Sequence, residues 1–354
     1  LTKARQARNQ PANSAPGPDL TKAIVSKVKP PLAVALGAPG EVVQWLTLLG
    51  NPTAVCYQVD LYLAEQLRML LVERGLVAEV RPAADLWDLP RDQQTVLYLP
   101  SRTGERDLKI DMAEQAFHLL RDDGNLVVHS PYFPDELFPG LLKKLFGSVK
   151  QTVVGEQTVF WSTRKGEHSE RRHEVTFHVR LNENESLRFL SRPGVFAYGR
   201  FDDGARALTE EMEVHAGDEI LDLGCGCGTN GIIAVKRAGG EASVVFVDSN
   251  LRALALTAEN AKNNGVEKFI IHGSHSLADI PGGEFDVVLA NPPYFAANVI
   301  CQMFVDAAAR YLRPNGRLYL VTKQIEPAGE ILSEYFTDIE VAQRRGYQIF
   351  CCLR

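Results

Sequence analysis

The stretch Glu219-Ile220-Leu221-Asp222-Leu223-Gly224-Cys225-Gly226-Cys227-Gly228-Thr229-Asn230-Gly231 runs from a short apolar strand into three alternate glycines and then into a helical pattern. Glycines at a strand-to-helix turn let the main chain reverse sharply, reach positive φ and approach a ligand closely. Such a turn is the ligand-binding corner of a doubly wound α/β sheet, and the flanking sequence agrees. Ser243–Asp248 is a second buried strand, and residues 251–264 are a helix closed by Gly265. Residues 268–272 and Phe285–Ala290 are further strands, residues 299–312 a helix stopped by Pro314-Asn315-Gly316, and 317–322 a strand. Residues 336–353 form a final strand pair. Strands alternating with helices predict a mostly parallel sheet.

The first half repeats this layout. A strand over 32–36 meets Gly37-Ala38-Pro39-Gly40, a strand over 54–60 ends in Asp60 as the second half's ends in Asp248, and Leu61–Glu73 parallels the helix at 251–264. Residues 95–99 followed by Pro100 parallel 286–291 followed by Pro292, and 113–120 with 126–129 parallel 306–312 with 318–321. Self-similarity on this scale predicts a duplicated domain, giving an α/β chain of two tandem Rossmann-like, doubly wound sheets. The copies are not chemically equivalent, because Leu99 stands where the second half has Asn291.

Gly226, Gly228 and Gly231 also satisfy G-x-G-x-x-G, and Asp248 follows at the distance of a dinucleotide-binding acid, so a nicotinamide cofactor is a rival reading. Asp222 argues against it. A carboxylate at that strand end repels a pyrophosphate but receives the ammonium of S-adenosylmethionine, and Asp248 bonds ribose hydroxyls in either case. Asn291-Pro292-Pro293-Tyr294 then follows a strand terminus, where ligands of such sheets bind. The prolines stiffen the turn. The Asn291 side-chain oxygen and the Pro292 carbonyl can each accept one hydrogen of an aromatic amine, drawing its lone pair out of ring conjugation. That is electrostatic preorganisation for transfer of a methyl group. Tyr294 can stack on an extruded base.

These residues resemble the class I methyltransferases, and among them most closely the ribosomal RNA guanine-N2 methyltransferases with two tandem Rossmann-like domains, of which the second is catalytic. Residues 192–204, Arg-Pro-Gly-Val-Phe-Ala-Tyr-Gly-Arg-Phe-Asp-Asp-Gly, look like that family's segment lying over the cofactor. The resemblance implies that Asp222, Gly224, Gly226 and Gly228 hold the methionine part of S-adenosylmethionine, that Asp248 holds the ribose with Ser249 beside it, and that Asn291, Pro292 and Tyr294 hold the target amine. His275, where the family often has Asn or Asp near adenine, is a further cofactor candidate. Tyr294 and Phe295 stand where the family often has Phe and His. The same amine geometry also serves N6-adenine nucleic-acid methyltransferases and protein glutamine methyltransferases, and a non-catalytic RNA-binding protein or chaperone is the reading from another class.

Composition sets bounds. At 354 residues the chain fits two domains, and 45% hydrophobic with 23% charged residues is a globular balance. A net charge of -6 excludes bulk electrostatics as the grip on nucleic acid, so a ribosomal RNA or ribosomal-subunit partner needs a local basic surface. Arg164, Lys165, Arg171, Arg172, Arg180, Arg188, Arg192, Arg200 and Arg206 crowd the middle of the chain among acids, and Lys3, Arg5, Arg8, Lys22, Lys27 and Lys29 form a purer basic run. The six cysteines lack disulfide or zinc spacing, so buried thiols in a reducing cytoplasm and no metal are expected. No apolar run is long enough to span a bilayer, and residues 1–18 lack the apolar core of a secretory signal; without an initiator Met, a trimmed chain is expected. The expected division is a flexible basic tail (1–29), a degenerate first domain for substrate binding or support (30–165), a connector covering the cofactor (166–207) and the catalytic domain (208–354).

Overall fold

The computed structural model describes residues 18–293 and 297–354. The first domain holds strands β1 (Leu32–Ala35), β2 (Ala54–Gln58), β3 (Glu79–Pro82), β4 (Gln93–Tyr98), β5 (Leu120–Ser130), β6 (Lys150–Val154) and β7 (Gln157–Thr163). Its helices are α1 (Pro18–Val25), α2 (Pro39–Leu48), α3 (Leu61–Glu73), α4 (Arg106–Leu119) and α5 (Phe138–Phe146). A hairpin of β8 (Val175–Arg180) and β9 (Ser186–Ser191) follows. The second domain holds β10 (Glu219–Leu223), β11 (Ser243–Asp248), β12 (Phe269–Gly273), β13 (Phe285–Ala290), β14 (Leu312–Thr322), β15 (Asp338–Arg344) and β16 (Tyr347–Leu353). Its helices are α6 (Asp203–Glu211), α7 (Thr229–Arg237), α8 (Leu251–Asn263), α9 (Ala297–Tyr311) and α10 (Ile325–Ser333).

The two sheets have one topology. Their orders are β3-β2-β1-β4-β5-β7-β6 and β12-β11-β10-β13-β14-β16-β15, parallel up to β5 and β14 and antiparallel beyond. The antiparallel strand inserted beside the fifth departs from the all-parallel 3-2-1-4-5-6 order of dinucleotide-binding sheets. In the second domain Leu221, Leu223, Val245 and Val247 bury one face of the sheet with α9, and Ile220, Val244 and Phe246 bury the other with α7 and α8. Contact across α7 is close: a Cβ on Gly231 would lie 2.5 Å from the Phe246 ring.

Register aligns the copies residue by residue. Ala35 pairs with Tyr57 and Tyr98, and Leu223 pairs with Val247 and Ala290. Leu36 therefore corresponds to Gly224, and it takes the same left-handed turn, φ 57° against 64°. Leu99 corresponds to Asn291, as expected. The counterpart of Asp248 is Gln58, not Asp60; Asp60 corresponds to Asn250, and each caps the helix after it, α3 and α8. In the first domain the side chain of Leu99 would lie 2.9 Å from a Cβ on Gly37, and Gln58 donates to the Gly37 carbonyl at 3.1 Å, so protein fills the space over that loop.

The domains meet across an approximate two-fold axis at these caps. Asp60 and Asn250 form an antiparallel bridge, the Leu61 N–H donates to Ser249 O and the Leu251 N–H to Val59 O, both at 2.9 Å. Two expectations change. Residues 18–29 are not a flexible tail: Leu20 and Ile24, one turn apart, bury α1 against the first domain, and the Lys29 main chain bonds Thr95. The connector expected only to cover the cofactor also holds the hairpin of β8 and β9, whose Phe177, Val179, Leu187 and Phe189 join the second domain's core.

Candidate active site

The loop after β10 takes positive φ at Gly224, Gly226 and Gly228, 64°, 58° and 84°. A Cβ at Gly226 would lie 2.8 Å from the Phe196 carbonyl oxygen, so the 192–204 segment rests directly on the loop and leaves the Phe196 side chain exposed. Thr257 of α8 donates to Gly226 O at 2.9 Å, and Asn260 of α8 bonds Cys227 O and the main chain of Leu190. One helix thus fixes the loop to the hairpin. Cys225 and Cys227 are buried free thiols whose pKa values burial raises, as the sequence implied.

Asp222 lies at the end of β10, buried, with Oδ2 accepting the Gly231 N–H at 2.9 Å. Burial pushes its pKa up to about 7, against the opposing pull of the Gly231 N–H. Asp248 accepts the Gly226 N–H at 2.9 Å on one oxygen and the Asn250 N–H at 2.8 Å on the other, and its pKa is pushed up to about 6, again by burial. Asn230, in the first turn of α7, has a buried side-chain oxygen without a partner among the described residues. Two carboxyls held near neutrality and an orphaned acceptor, around a loop that tolerates no Cβ, make a cradle for a cationic ligand. These acceptors fit the ammonium and ribose hydroxyls of S-adenosylmethionine, and the carboxylates, once ionised, would repel a pyrophosphate.

Ser249 donates its hydroxyl to Asp60 of the first domain at 2.6 Å, an interdomain bond that sequence reasoning missed. His275 is half-buried just beyond β12. Asn291 and Pro292 follow β13, which pairs directly with β10, so the glycine loop and the Asn-Pro-Pro turn leave neighbouring strand ends at the point where strand order reverses. The Asn291 amide nitrogen donates to Asp202 Oδ2 at 3.4 Å, and that oxygen also caps α6 through the Ala205 N–H at 3.0 Å. A carboxylate only accepts, so Asp202 fixes which end of the amide is nitrogen. Asp202 had no assigned role in the sequence; its signal was an N-cap three residues ahead of a helical Ala. Tyr294 lies outside the described residues.

Among the basic candidates, Arg192 is withdrawn from the surface: it is buried, and its guanidinium grips Asp85 at 2.9 and 2.7 Å. Arg171, Arg172, Arg180, Arg188 and Arg200 remain exposed, while Lys3, Arg5 and Arg8 lie outside the described residues. Among the described residues no cluster of His, Cys, Asp or Glu is arranged to hold a metal, and no helix is long and apolar enough to cross a membrane.

The profile of the Methyltransferase small domain family matches residues 186–351. Ribosomal RNA small subunit methyltransferase C of Hahella chejuensis is 34% identical over 161 residues, 44% of this chain and 46% of that protein. The chain thus matches about half the length of that relative. The uncharacterized protein YbxB of Bacillus subtilis is 34% identical over 182 residues, 49% of this chain and 89% of YbxB. Among solved structures, the T. thermophilus 16S rRNA N2 G1207 methyltransferase, in complex with AdoMet and guanosine, superposes with a TM-score of 0.74 at 22% identity, over 95% of this chain and 92% of that one. The two-domain architecture is therefore shared almost end to end, and the glycine loop, Asp248 and Asn291 all fall inside the matched profile: the chain belongs to the Methyltransferase small domain family.

Proposed function

We propose that the protein transfers a methyl group from S-adenosylmethionine to the exocyclic N2 amine of a guanine in small-subunit ribosomal RNA. The observation that carries this reading is the adjacency of the Asp222–glycine cradle and the Asp202-anchored Asn291 on paired strands β10 and β13. The matched relatives named as small-subunit rRNA methyltransferases support the choice of substrate. The cofactor supplies an electrophilic methyl on a positively charged sulfur. Asp222 receives its ammonium, the main chain at Gly224, Gly226 and Gly228 lines the methionine part, Asp248 holds the ribose, and Ser249 and His275 border the base.

Asn291 Oδ1 and the Pro292 carbonyl accept the two amine hydrogens, and Tyr294 offers the guanine a ring to stack on. Positioning of the amine carries most of the acceleration. No strong base is needed, because the nitrogen becomes acidic once it has formed the new bond and loses its proton to water. The first domain, with Leu36, Gln58 and Leu99 in its site, helps bind the RNA and supports the catalytic domain.

Incubation with labelled S-adenosylmethionine and unmodified small subunits, naked 16S rRNA, DNA or protein extract tests this, with nucleoside mass spectrometry as the readout. N2-methylguanosine is the expected product. Label confined to N6-methyladenosine or to glutamine would overturn the substrate.

The carboxyl pKa values give a pH dependence. Asp222 and Asp248 have pKa values of about 7 and about 6 in the fold, against an ordinary 3.8. The folded chain therefore keeps protons that the unfolded chain has lost, and the stability these groups contribute falls as pH rises through that window. A bound ammonium favours the charged form, so cofactor affinity should rise from pH 5.5 towards pH 8, by about ten-fold for one full proton per pH unit below the pKa. Calorimetry in buffers of different ionisation enthalpy should show proton release on binding. Asp222→Asn should abolish most of that release, and undiminished release would remove Asp222 from the ammonium site.

A further inference from the structure

The approximate two-fold axis at the domain interface gives each domain a helix start aimed at the other's strand ends. After the matched pairs Asp60/Asn250 and Leu61/Leu251, the next residues are Tyr62 in α3 and Arg252 in α8. Gln58 pairs with Pro82 and Asp248 with Gly273, so Ala84 is the counterpart of His275. The Ala83 N–H bonds Gln58 O and the Ser274 N–H bonds Asp248 O, both at 3.1 Å, which confirms that register.

Arg252 reaches the expected place: its Nε donates to Ala84 O at 3.0 Å, and it closes a small cavity lined by Leu36, Tyr57, Met112 and Pro193 at the ends of β1 and β2. The mirror contact is Tyr62 beside His275, with ring centroids 6.2 Å apart and planes inclined at 59°. Leu61 packs 3.1 Å from where a Cβ on Gly273 would stand, so the start of α3 sits on the end of β12. The two sides differ in exposure. Arg252 is 1% exposed, because the first domain's loop is filled, whereas Tyr62 is 52% exposed.

In the second sheet the glycine loop leaves β10 and the ribose-binding acid leaves the neighbouring β11, so a base attached to that ribose extends toward the next strand, β12. Tyr62 and His275 stand there.

We propose that the first domain completes the cofactor site, with Tyr62 offering its ring face to the adenine of S-adenosylmethionine while His275 borders the purine edge. The proposal rests on the cofactor reading above. It also gives the first domain a task that needs no cofactor loop of its own and explains why α3 is docked by the Asp60–Ser249 bond.

Calorimetry on the full chain with S-adenosylhomocysteine, adenosine and methionine as separate probes tests it. Loss of one aromatic stacking partner should weaken S-adenosylhomocysteine and adenosine about ten-fold in Tyr62→Ala, with methionine unchanged and Tyr62→Phe within about two-fold of the parent. The melting temperature without ligand should not move, since the ring is half exposed. Parental affinity of Tyr62→Ala for S-adenosylhomocysteine would overturn the proposal, as would an equal loss for methionine, which signals a loosened interface. If the parent protein binds none of the three probes, the cofactor reading itself falls and this proposal with it.

Discussion

Asn291→Ala should lower the single-turnover rate of methyl transfer by about 100- to 1,000-fold while cofactor affinity stays within about two-fold, the cost of deleting one preorganised polar group from a transition-state site. The separation of effects follows from position. In the proposed site Asn291, just after β13, would meet the target amine, whereas the groups proposed for the cofactor lie on β10 and β11. Alanine removes the oxygen that accepts an amine hydrogen and leaves the Pro292 carbonyl as the sole acceptor, so the lone pair stays partly conjugated with the base. Asn291 is half-buried, and Asp202 keeps its bond to the Ala205 N–H without it, so folding should be unaffected. Asp202→Ser, which retains an N-cap hydroxyl but removes the carboxylate that orients the amide, should lose an intermediate amount of rate. A rate for Asn291→Ala within ten-fold of the parent, an effect of about 1.4 kcal/mol, would take the residue out of its role.

The catalytic sheet was legible because buried parallel strands leave short apolar runs bounded by turn residues. Glu219–Leu223, Ser243–Asp248 and Phe285–Ala290 are found as read. Where strands carry charge on one face the signal sank: β8 buries only every second residue, and Arg180, His178 and Thr176 hide the alternation of Phe177 and Val179. α1 gives an equally weak signal, with only two buried residues, Leu20 and Ile24, beside Asp19, Thr21 and Lys22. Asp60 and Asp248 are both acids near a strand end, but the register aligns Asp60 with Asn250, each a helix cap, and Asp248 with Gln58, a distinction that side-chain chemistry alone does not carry. The site residues of the second domain stand in local motifs and could be named. Tyr62 and Arg252 act across the domain interface and leave no local trace, and Asp202, whose N-cap is local, meets Asn291 89 residues away.

Arg252 carries the second large effect. Its guanidinium, buried at the interface, donates to Asp111 at 2.7 Å, Asp85 at 2.9 Å, Ala84 O at 3.0 Å and Pro193 O at 2.7 Å, joining both domains to the covering segment. Asp111 is 0% exposed, one of its oxygens has no partner among the described residues, and burial raises its pKa although Arg252 pulls it down. Asp85, also pushed up by burial, is nevertheless held low by Arg192 and Arg252 together. Arg252→Ala leaves Arg192 to serve Asp85 but strands Asp111 with Gln115 alone. Removing one partner of a buried ion cluster costs about 3–5 kcal/mol, and that is the expected loss in denaturant unfolding. The loss should shrink at low pH. Without Arg252 the folded-state pKa of Asp111 rises further above its unfolded value, so between the two the folded chain holds the extra proton and gains stability as pH falls. Arg252→Ala should therefore be closer to the parent at pH 5 than at pH 8, and Asp111→Asn in the same background should remove that pH dependence. A loss that is equal at both pH values would mean that Arg252 acts by filling space rather than by compensating the buried carboxylate.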